Sequence, residues 1–479
     1  MNIENKLIRY YVQDDEVLKE YFKLYEIPKK EHVVLIEKRM SRDIADIFYQ
    51  LGFKNKSELI KNCNSLRFLQ QCVSNEDHKH WHSSFCKDRY CPICSHIKSH
   101  KESEMLQEII ASMQKDNNYK NSYMLFVTLT QKNVGVGELK NEINKMNKAI
   151  KEMLKKEPLF KDYYKTSTDK KTGKKKKVKR KALGQGTVRH LEITAKYNPK
   201  TERIEFHAHW HLLILVKKSY WSEKDVQWTN PKLQKIWKKY MELDYFPNVD
   251  IRLAKDKDIE FKSKTGIETI DKKNDFKSLE LDGAVRELCK YSTKESDIIQ
   301  LNEDKDGRIS INWNDTRVIM QEIYGAMNHK RTLVLTGTFK KTKERLFGKK
   351  EAEDLVEEMT EADLIQVFKN RCKTCGSEIT EHLYRYYPVT KNYQELKGVI
   401  NIENYKKNHF EKVNQKVLAA IEQRKAENKL MNDLELAYWE EVLDDGYDPF
   451  TMDIDHDVYL QMCKKKSDVS DQTKTSEYI

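Results

Sequence analysis

The sequence predicts an α+β protein on three observations. Residues 186–196 and 203–216 alternate polar and apolar side chains on either side of Tyr197, Asn198, Pro199 and Lys200, so they read as a β-hairpin. Residues 123–130 read as an earlier strand and 246–253 as a later one. Between and around these strands, apolar residues recur at three- and four-residue spacing, as in Leu139, Ile143, Met146, Ile150 and Leu154, which marks helices.

The elements follow in order. Residues 1–60 form a helical segment, with Ile44, Ile47, Phe48 and Leu51 on one face before a stop at Gly52. Residues 61–118 hold a Cys/His cluster and a linking helix, and 119–305 hold the strands. Within that region Lys174, Lys175, Lys176, Lys177, Lys179, Arg180 and Lys181 make a basic run that cannot bury itself; it is expected to be an exposed, mobile loop that contacts phosphates without choosing sequence. A helix is expected over 221–243, a polar loop or insertion over 255–277, and a further helix carrying Tyr291. Residues 306–400 form a C-terminal region with a helix ending at Arg331, a CxxC pair and a cluster at Tyr384, Tyr386 and Tyr387. A mainly helical, charged tail spans 401–479.

At 479 residues the chain exceeds one compact core, which implies several domains. A net charge of +12 points to a polyanionic partner. The first residues lack an apolar signal core and no apolar run reaches bilayer length, so the expectation is a cytoplasmic protein with no membrane partner. Four of the nine cysteines stand in two CxxC pairs, Cys91/Cys94 and Cys372/Cys375, and in a reducing compartment such pairs hold zinc. The expected set is Cys72, Cys86, Cys91 and Cys94, with His78, His80 and His82 interspersed; Cys372 and Cys375 either join it or form half of another site. Cys63, Cys289 and Cys463 read as ordinary residues.

The hairpin carries the chemistry. His207, His209 and His211 occupy alternate positions and so share a face, while Trp210, Leu212, Ile214 and Val216 take the other. On the preceding strand His190, Glu192 and Thr194 are the polar parity, which puts Glu192 beside the imidazoles. A carboxylate with two imidazoles suits an octahedral Mg or Mn ion that keeps positions open for water and phosphate. Either Glu192 or His207 completes the set around His209 and His211.

On a continuous helix Glu287, Tyr291 and Lys294 fall on one face, and Val285, Leu288, Cys289 and Ser292 largely on the other. A tyrosine there can attack a phosphodiester that a metal ion polarises. Glu287 would activate water or accept the proton, and Lys294 would pair with phosphate or lower the tyrosine pKa.

These residues resemble three motifs of the rolling-circle plasmid replication initiators of Gram-positive bacteria, in the HUH endonuclease superfamily. Phe126-Val127-Thr128-Leu129-Thr130 is similar to the first, residues 207–213 to the second and residues 287–294 to the third. Residues 189–194 resemble the strand before the second motif, and residues 85–94 an N-terminal signature. The resemblance covers roughly residues 70–300; the basic run and the stretch after 254 have no place in its pattern. It implies a central antiparallel sheet flanked by helices, with nicking and joining in 119–305. It further implies that His209 and His211 hold the metal, that Tyr291 nicks one strand at the double-strand origin and stays on the 5′ phosphate, and that the freed 3′ hydroxyl primes synthesis. Glu287 would direct water at termination. Origin DNA, single-stranded DNA and the host helicase and polymerase would be the partners. An HUH transposase and a non-catalytic zinc-dependent DNA-binding regulator are the alternatives.

Overall fold

The structure, a computed structural model, describes residues 3–15, 18, 30–76, 78–83, 85–119, 122–168, 175–254, 281–290, 293–328, 330–349, 371–372 and 374–396. Contacts divide the chain into Met1–Ile400 and Asn401–Ile479, and all described residues lie in the first unit. The expected insertion at 255–277 and the charged tail at 401–479 fall outside the described residues, as does Tyr291. Among the described residues no helix is long and apolar enough to cross a membrane.

The strands are β1 (Leu66–Cys72), β2 (Lys79–Ser83), β3 (Ser122–Leu129), β4 (Tyr163–Thr168), β5 (Lys175–Arg180), β6 (Gly184–Asn198), β7 (Arg203–Lys217), β8 (Val249–Leu253), β9 (Leu301–Glu303), β10 (Ile309–Ile311), β11 (Leu333–Thr336), β12 (Ile379–Tyr387) and β13 (Asn392–Glu395). The helices are α1 (Ile3–Val12), α2 (Lys30–Gln50), α3 (Lys54–Asn62), α4 (Pro92–Lys115), α5 (Leu139–Lys156), α6 (Asn230–Tyr240), α7 (Asp282–Leu288), α8 (Glu295–Ile298), α9 (Trp313–Met327) and α10 (Gly337–Phe347).

A five-stranded sheet in the order β11-β6-β7-β3-β8 forms the centre, and every neighbouring pair is antiparallel. Its two faces make two cores, assigned by strand parity. Even positions of β7 (Phe206, Ala208, Trp210, Leu212, Ile214 and Val216) join Leu125 and Val127 of β3 and Ile143 and Ile150 of α5, with α6 and α9 completing the cover. Odd positions Leu213 and Leu215 pack instead with Phe126, with Met105 and Ile109 of α4, with Val285 and Leu288 of α7, and with Phe339 of α10. Each fully buried side chain of this size contributes about 1.5–3 kcal/mol, so moving β7 by one residue would exchange both cores at once. The same odd parity carries the histidines beyond the helical cover.

The edge strand β11 was not foreseen. It pairs with β6 from Leu333↔His190 to Thr336↔Thr187, and the chain then turns into α10 at Gly337, where φ is +59°. A Cβ there would stand 2.4 Å from the carbonyl oxygen of Gln185, so only glycine lets α10 leave so close to β6.

A second antiparallel sheet, β13-β12-β1-β2, draws on both ends of the described chain. Residues 306–400 therefore supply β11 to the central sheet and both β12 and β13 to the second. Two further expectations need correction. The helix expected over 221–243 is confined to α6, because Pro231 starts it and the Tyr220 hydroxyl, bonded to both the N–H and C=O of Trp228, pins the preceding segment in a loop. The basic run is no loop where it is described: Lys175–Arg180 is β5, paired with β4. The partner strand explains this. Opposite its basic residues stand Tyr163, Tyr164, Thr166, Ser167 and Thr168, and the one lysine of β4, Lys165, faces Val178, so no like charges meet across the ribbon.

Candidate active site

The register of β6 and β7 sets Glu192 directly opposite His209, and His190 opposite His211. Nε2 of His209 lies 3.2 Å and Nε2 of His211 3.1 Å from the same Glu192 oxygen, Oε2. An ion with ligands at about 2.1 Å in an octahedron has neighbouring ligands about 3.0 Å apart, so the two Glu192–imidazole separations already match those of neighbouring ligands. Burial alone would raise the Glu192 carboxyl, but hydrogen bonds from His209 and His211, and then the charge of the two rings, hold it well below the usual carboxylate range. It is thus an anion ready to meet a cation.

Motif one acts on this group through Thr128. β3 places Thr128 opposite His211, and its Oγ1 lies 3.1 Å from His211 Nδ1. When Nε2 serves as ligand, Nδ1 carries the proton and donates to Thr128, which fixes tautomer and ring together. His209 Nδ1 is buried with no hydrogen-bond partner among the described residues. The third histidine, His207, is held elsewhere: its Nδ1 lies 3.0 Å from Asn133 Oδ1, and the Asn133 amide donates in turn to Glu205. Burial, then His209 and Lys196, lower the His207 pKa. The structure brings together Glu192, His209 and His211 and leaves His207 out of that group.

One neighbour was not singled out from sequence. Asp297, in the single-turn helix α8 on β6, lies within electrostatic reach of Glu192 and has a buried Oδ2 with no partner among the described residues. Burial, opposed by Lys294 and aided by Glu192, pushes its carboxyl up to about 6. It stands outside the group that Glu192, His209 and His211 form.

Helix α7 rests on the same sheet face as the histidines, with Val285, Leu288 and Cys289 buried as the helical pattern requires. It is shorter than expected. The helix ends at Leu288, and Lys294 has extended backbone as the residue capping α8, so Glu287 and Lys294 do not stack on one helical face. The cation beside Glu287 is Lys290, with Nζ 2.6 Å from Oε2. Residues 289–290 already turn, so the continuous helix assumed from spacing does not run through them.

Of the basic run, Lys174 lies outside the described residues and Lys175, Lys176, Lys177, Lys179, Arg180 and Lys181 are exposed. Strand parity gives the ribbon two faces: Tyr163 and the half-buried Val178 on one, and Lys175, Lys177, Lys179 and the exposed Tyr164 on the other.

The cysteines regroup into two sets, one of four cysteines and one of three cysteines with His78. Cys86, Cys91 and Cys94 are joined by Cys63, not by Cys72. The reason is β1: Cys63 precedes this strand and Cys72 ends it, and seven strand residues at about 3.3 Å each separate them by more than any ion spans. Cys63 and Cys86 sulfurs lie 3.5 and 3.6 Å from that of Cys94, and the N–H of Lys87 donates to Cys94 Sγ at 3.2 Å. Cys91 and Cys94 also sit at the start of α4, where the helix dipole favours thiolates. Lys38 lies buried alongside, its ammonium donating to the carbonyls of Lys61 and Cys63 and to Ser65 Oγ. Burial pulls Lys38 down to about 8, against the upward pull of Cys63 and Cys91. Four buried sulfurs cannot all ionise without a cation, and their charge and softness fit zinc. Cys289 packs in the second core as an ordinary residue, and Cys463 lies outside the described residues.

A family model described as "Replication protein" matches residues 77–377, more than half of the chain. Curated proteins called "Protein rep" are similar to it. One from a Bacillus species is 29% identical over 255 residues, covering 52% of this chain and 70% of the relative. One from Streptococcus pneumoniae is 26% identical over 312 residues, covering 64% and 78%, and one from Staphylococcus aureus is 26% identical over 283 residues, covering 58% and 95%. No solved structure matches the chain. With Thr128, Glu192, His209 and His211 gathered on one sheet face and the family model spanning that sheet, the chain belongs to the replication protein (Rep) family, the plasmid replication initiators of Gram-positive bacteria.

Proposed function

We propose that this chain is an HUH-type nickase and strand transferase that opens one strand at the plasmid double-strand origin through a covalent 5′-phosphotyrosine at Tyr291. The observation that carries the reading is the convergence of Glu192, His209 and His211 on one point of the central sheet. These three residues would hold Mg or Mn, and the ion when bound would polarise the scissile phosphate and offset the charge that develops in the transition state. Thr128 holds the His211 ring in its ligand tautomer. Tyr291 supplies the nucleophilic oxygen, and the departing 3′ oxygen becomes the hydroxyl that primes synthesis. Glu287, paired with Lys290, would direct water at termination, after one round of copying. Lys294 would pair with phosphate or lower the tyrosine pKa.

The basic ribbon contacts phosphates of origin DNA and adds affinity without selecting sequence. Zinc at Cys63, Cys86, Cys91 and Cys94 has a structural role. Single-stranded DNA is the reacting substrate, and host helicase and polymerase follow from the initiator reading.

Incubation with Mn²⁺ and supercoiled plasmid carrying the origin tests the reading. Nicked circle and a protein–DNA adduct are expected, with mass spectrometry of the trapped peptide naming Tyr291. Tyr291→Phe should abolish the adduct and leave origin binding unchanged. An adduct that survives this substitution would overturn the assignment.

A further inference from the structure

We propose that Cys72, His78, Cys372 and Cys375 form a second zinc site that clasps the segment 371–396 onto the N-terminal sheet. The four residues meet where three antiparallel strands end. Cys72 is the last residue of β1, His78 stands just before β2, and the Cys372–Cys375 pair lies just before β12, with Cys72 opposite Ile379 in the register. No member is shared with the four-cysteine group, whose tetrahedron is complete without them.

The distances are those of metal ligands. Cys72 and Cys375 sulfurs are 3.5 Å apart, Cys372 Sγ is 3.7 Å from His78 Nδ1, and all four ligand atoms lie within 4.8 Å of one another. A tetrahedral zinc with Zn–S about 2.3 Å and Zn–N about 2.0 Å has S···S edges of about 3.8 Å and S···N edges of about 3.5 Å. A disulfide needs about 2.05 Å. The backbone is folded for the purpose. The N–H of Cys72 donates to the His78 carbonyl at 3.1 Å, closing the loop that returns the imidazole to the strand end. At the other knuckle the N–H of Cys372 donates to the Ser377 carbonyl at 2.8 Å and that of Gly376 to the Cys372 carbonyl at 2.9 Å, a turn that uses the +74° φ of Gly376. His78 Nε2, the nitrogen left over when Nδ1 binds, lies 3.5 Å from the Asn75 side-chain amide.

Three thiolates and an imidazole select a soft, tetrahedral ion and exclude Mg and Mn. With four protein ligands no position is open, so the site is structural. Its ligands come from segments some three hundred residues apart in sequence, and the ion ties the two together at the end of the β1–β12 ladder.

Zinc analysis and native mass spectrometry of the full chain provide the test. Two zinc ions per chain are expected, falling to one in the double variant Cys372→Ser, Cys375→Ser. In that variant trypsin should cut at Arg385 and Lys391 at least tenfold faster. One zinc in the unaltered chain, a Cys72–Cys375 disulfide by mass, or two zinc ions retained by the variant would each overturn the proposal. Should the variant fold poorly, the unaltered chain loaded with ¹¹³Cd gives an independent reading: one resonance from an all-sulfur site and another from a three-sulfur, one-nitrogen site. A single resonance of the first kind overturns it.

Discussion

Thr128 is the clearest case of a single side chain whose role follows from register. A hydroxyl opposite His211 has no packing advantage over valine, yet at 3.1 Å from Nδ1 it fixes which imidazole nitrogen is free to bind an ion. Thr128→Val keeps shape and strand preference and removes the acceptor, leaving a buried N–H unpaired whenever Nε2 coordinates. Losses of this kind cost about 10- to 100-fold in metal affinity. The Mn²⁺ concentration for half-maximal nicking should therefore rise by about that factor, with the rate at saturating Mn²⁺ nearly restored. An unchanged Mn²⁺ dependence would show that Thr128 does not orient the ligand. Asn133 does the opposite for His207, tying up Nδ1 outside the Glu192 group. Parity alone left Glu192 and His207 as equal candidates beside His209 and His211. Only a neighbouring loop residue separates them, and no periodicity carries that information.

Among the elements, the β4–β5 ribbon carries its own expectation. Lys175, Lys177 and Lys179 occupy one exposed face, so replacing all three by alanine leaves Val178 and the ladder in place. Each lost phosphate contact lowers the slope of log affinity against log salt by about 0.9 on duplex DNA, or about 2.7 for three. Filter binding across a salt series reads this directly. Cleavage of a short single-stranded origin oligonucleotide should stay within about twofold, because the ribbon is not among the groups that meet at Glu192. A slope that does not change would remove the ribbon from the DNA interface. The elements also divide by how far sequence revealed them. β6 and β7 were legible because both obey period two over many residues and share a turn. β5 was not, since a lysine run looks like solvated chain until Thr166, Ser167 and their neighbours are set opposite it. β12 mixes Glu381, His382, Arg385 and three tyrosines, so its pattern shows no clean alternation, and β11 is only four residues long. The exchange of Cys63 for Cys72 has the same root: the choice depends on β1 being a strand, which its nearly uniform burial hides from any alternation test.

At the scale of the molecule, the unit Met1–Ile400 is held by contacts between chain regions far apart in sequence, and this determines what a truncation would do. All five strands of the central sheet lie before residue 337, so a chain ending at Lys349 retains Glu192, His209, His211 and the sheet that carries them, while Tyr386 and Tyr393 leave the first core. It loses β12 and β13. The N-terminal sheet is then reduced to the β1–β2 hairpin, which is marginal in water without further cover. Phe68 and Leu69 face a vacated edge, and three long-range bonds go with it: Tyr393 hydroxyl to the Asn64 carbonyl at 2.6 Å, Tyr386 N–H to the Ser65 carbonyl at 2.9 Å, and Arg39 Nε to the Lys391 carbonyl at 3.0 Å. An unpaired apolar strand edge recruits a second chain. The truncated protein should accordingly bind Mn²⁺ at the hairpin with unchanged affinity while associating as its concentration rises, and the amides of residues 66–72 should lose hydrogen-exchange protection by at least tenfold in the dilute monomer. Light scattering and exchange mass spectrometry report the two effects separately. If the β1 amides stayed protected in a monomeric truncated chain, the C-terminal strands would not be what holds that sheet.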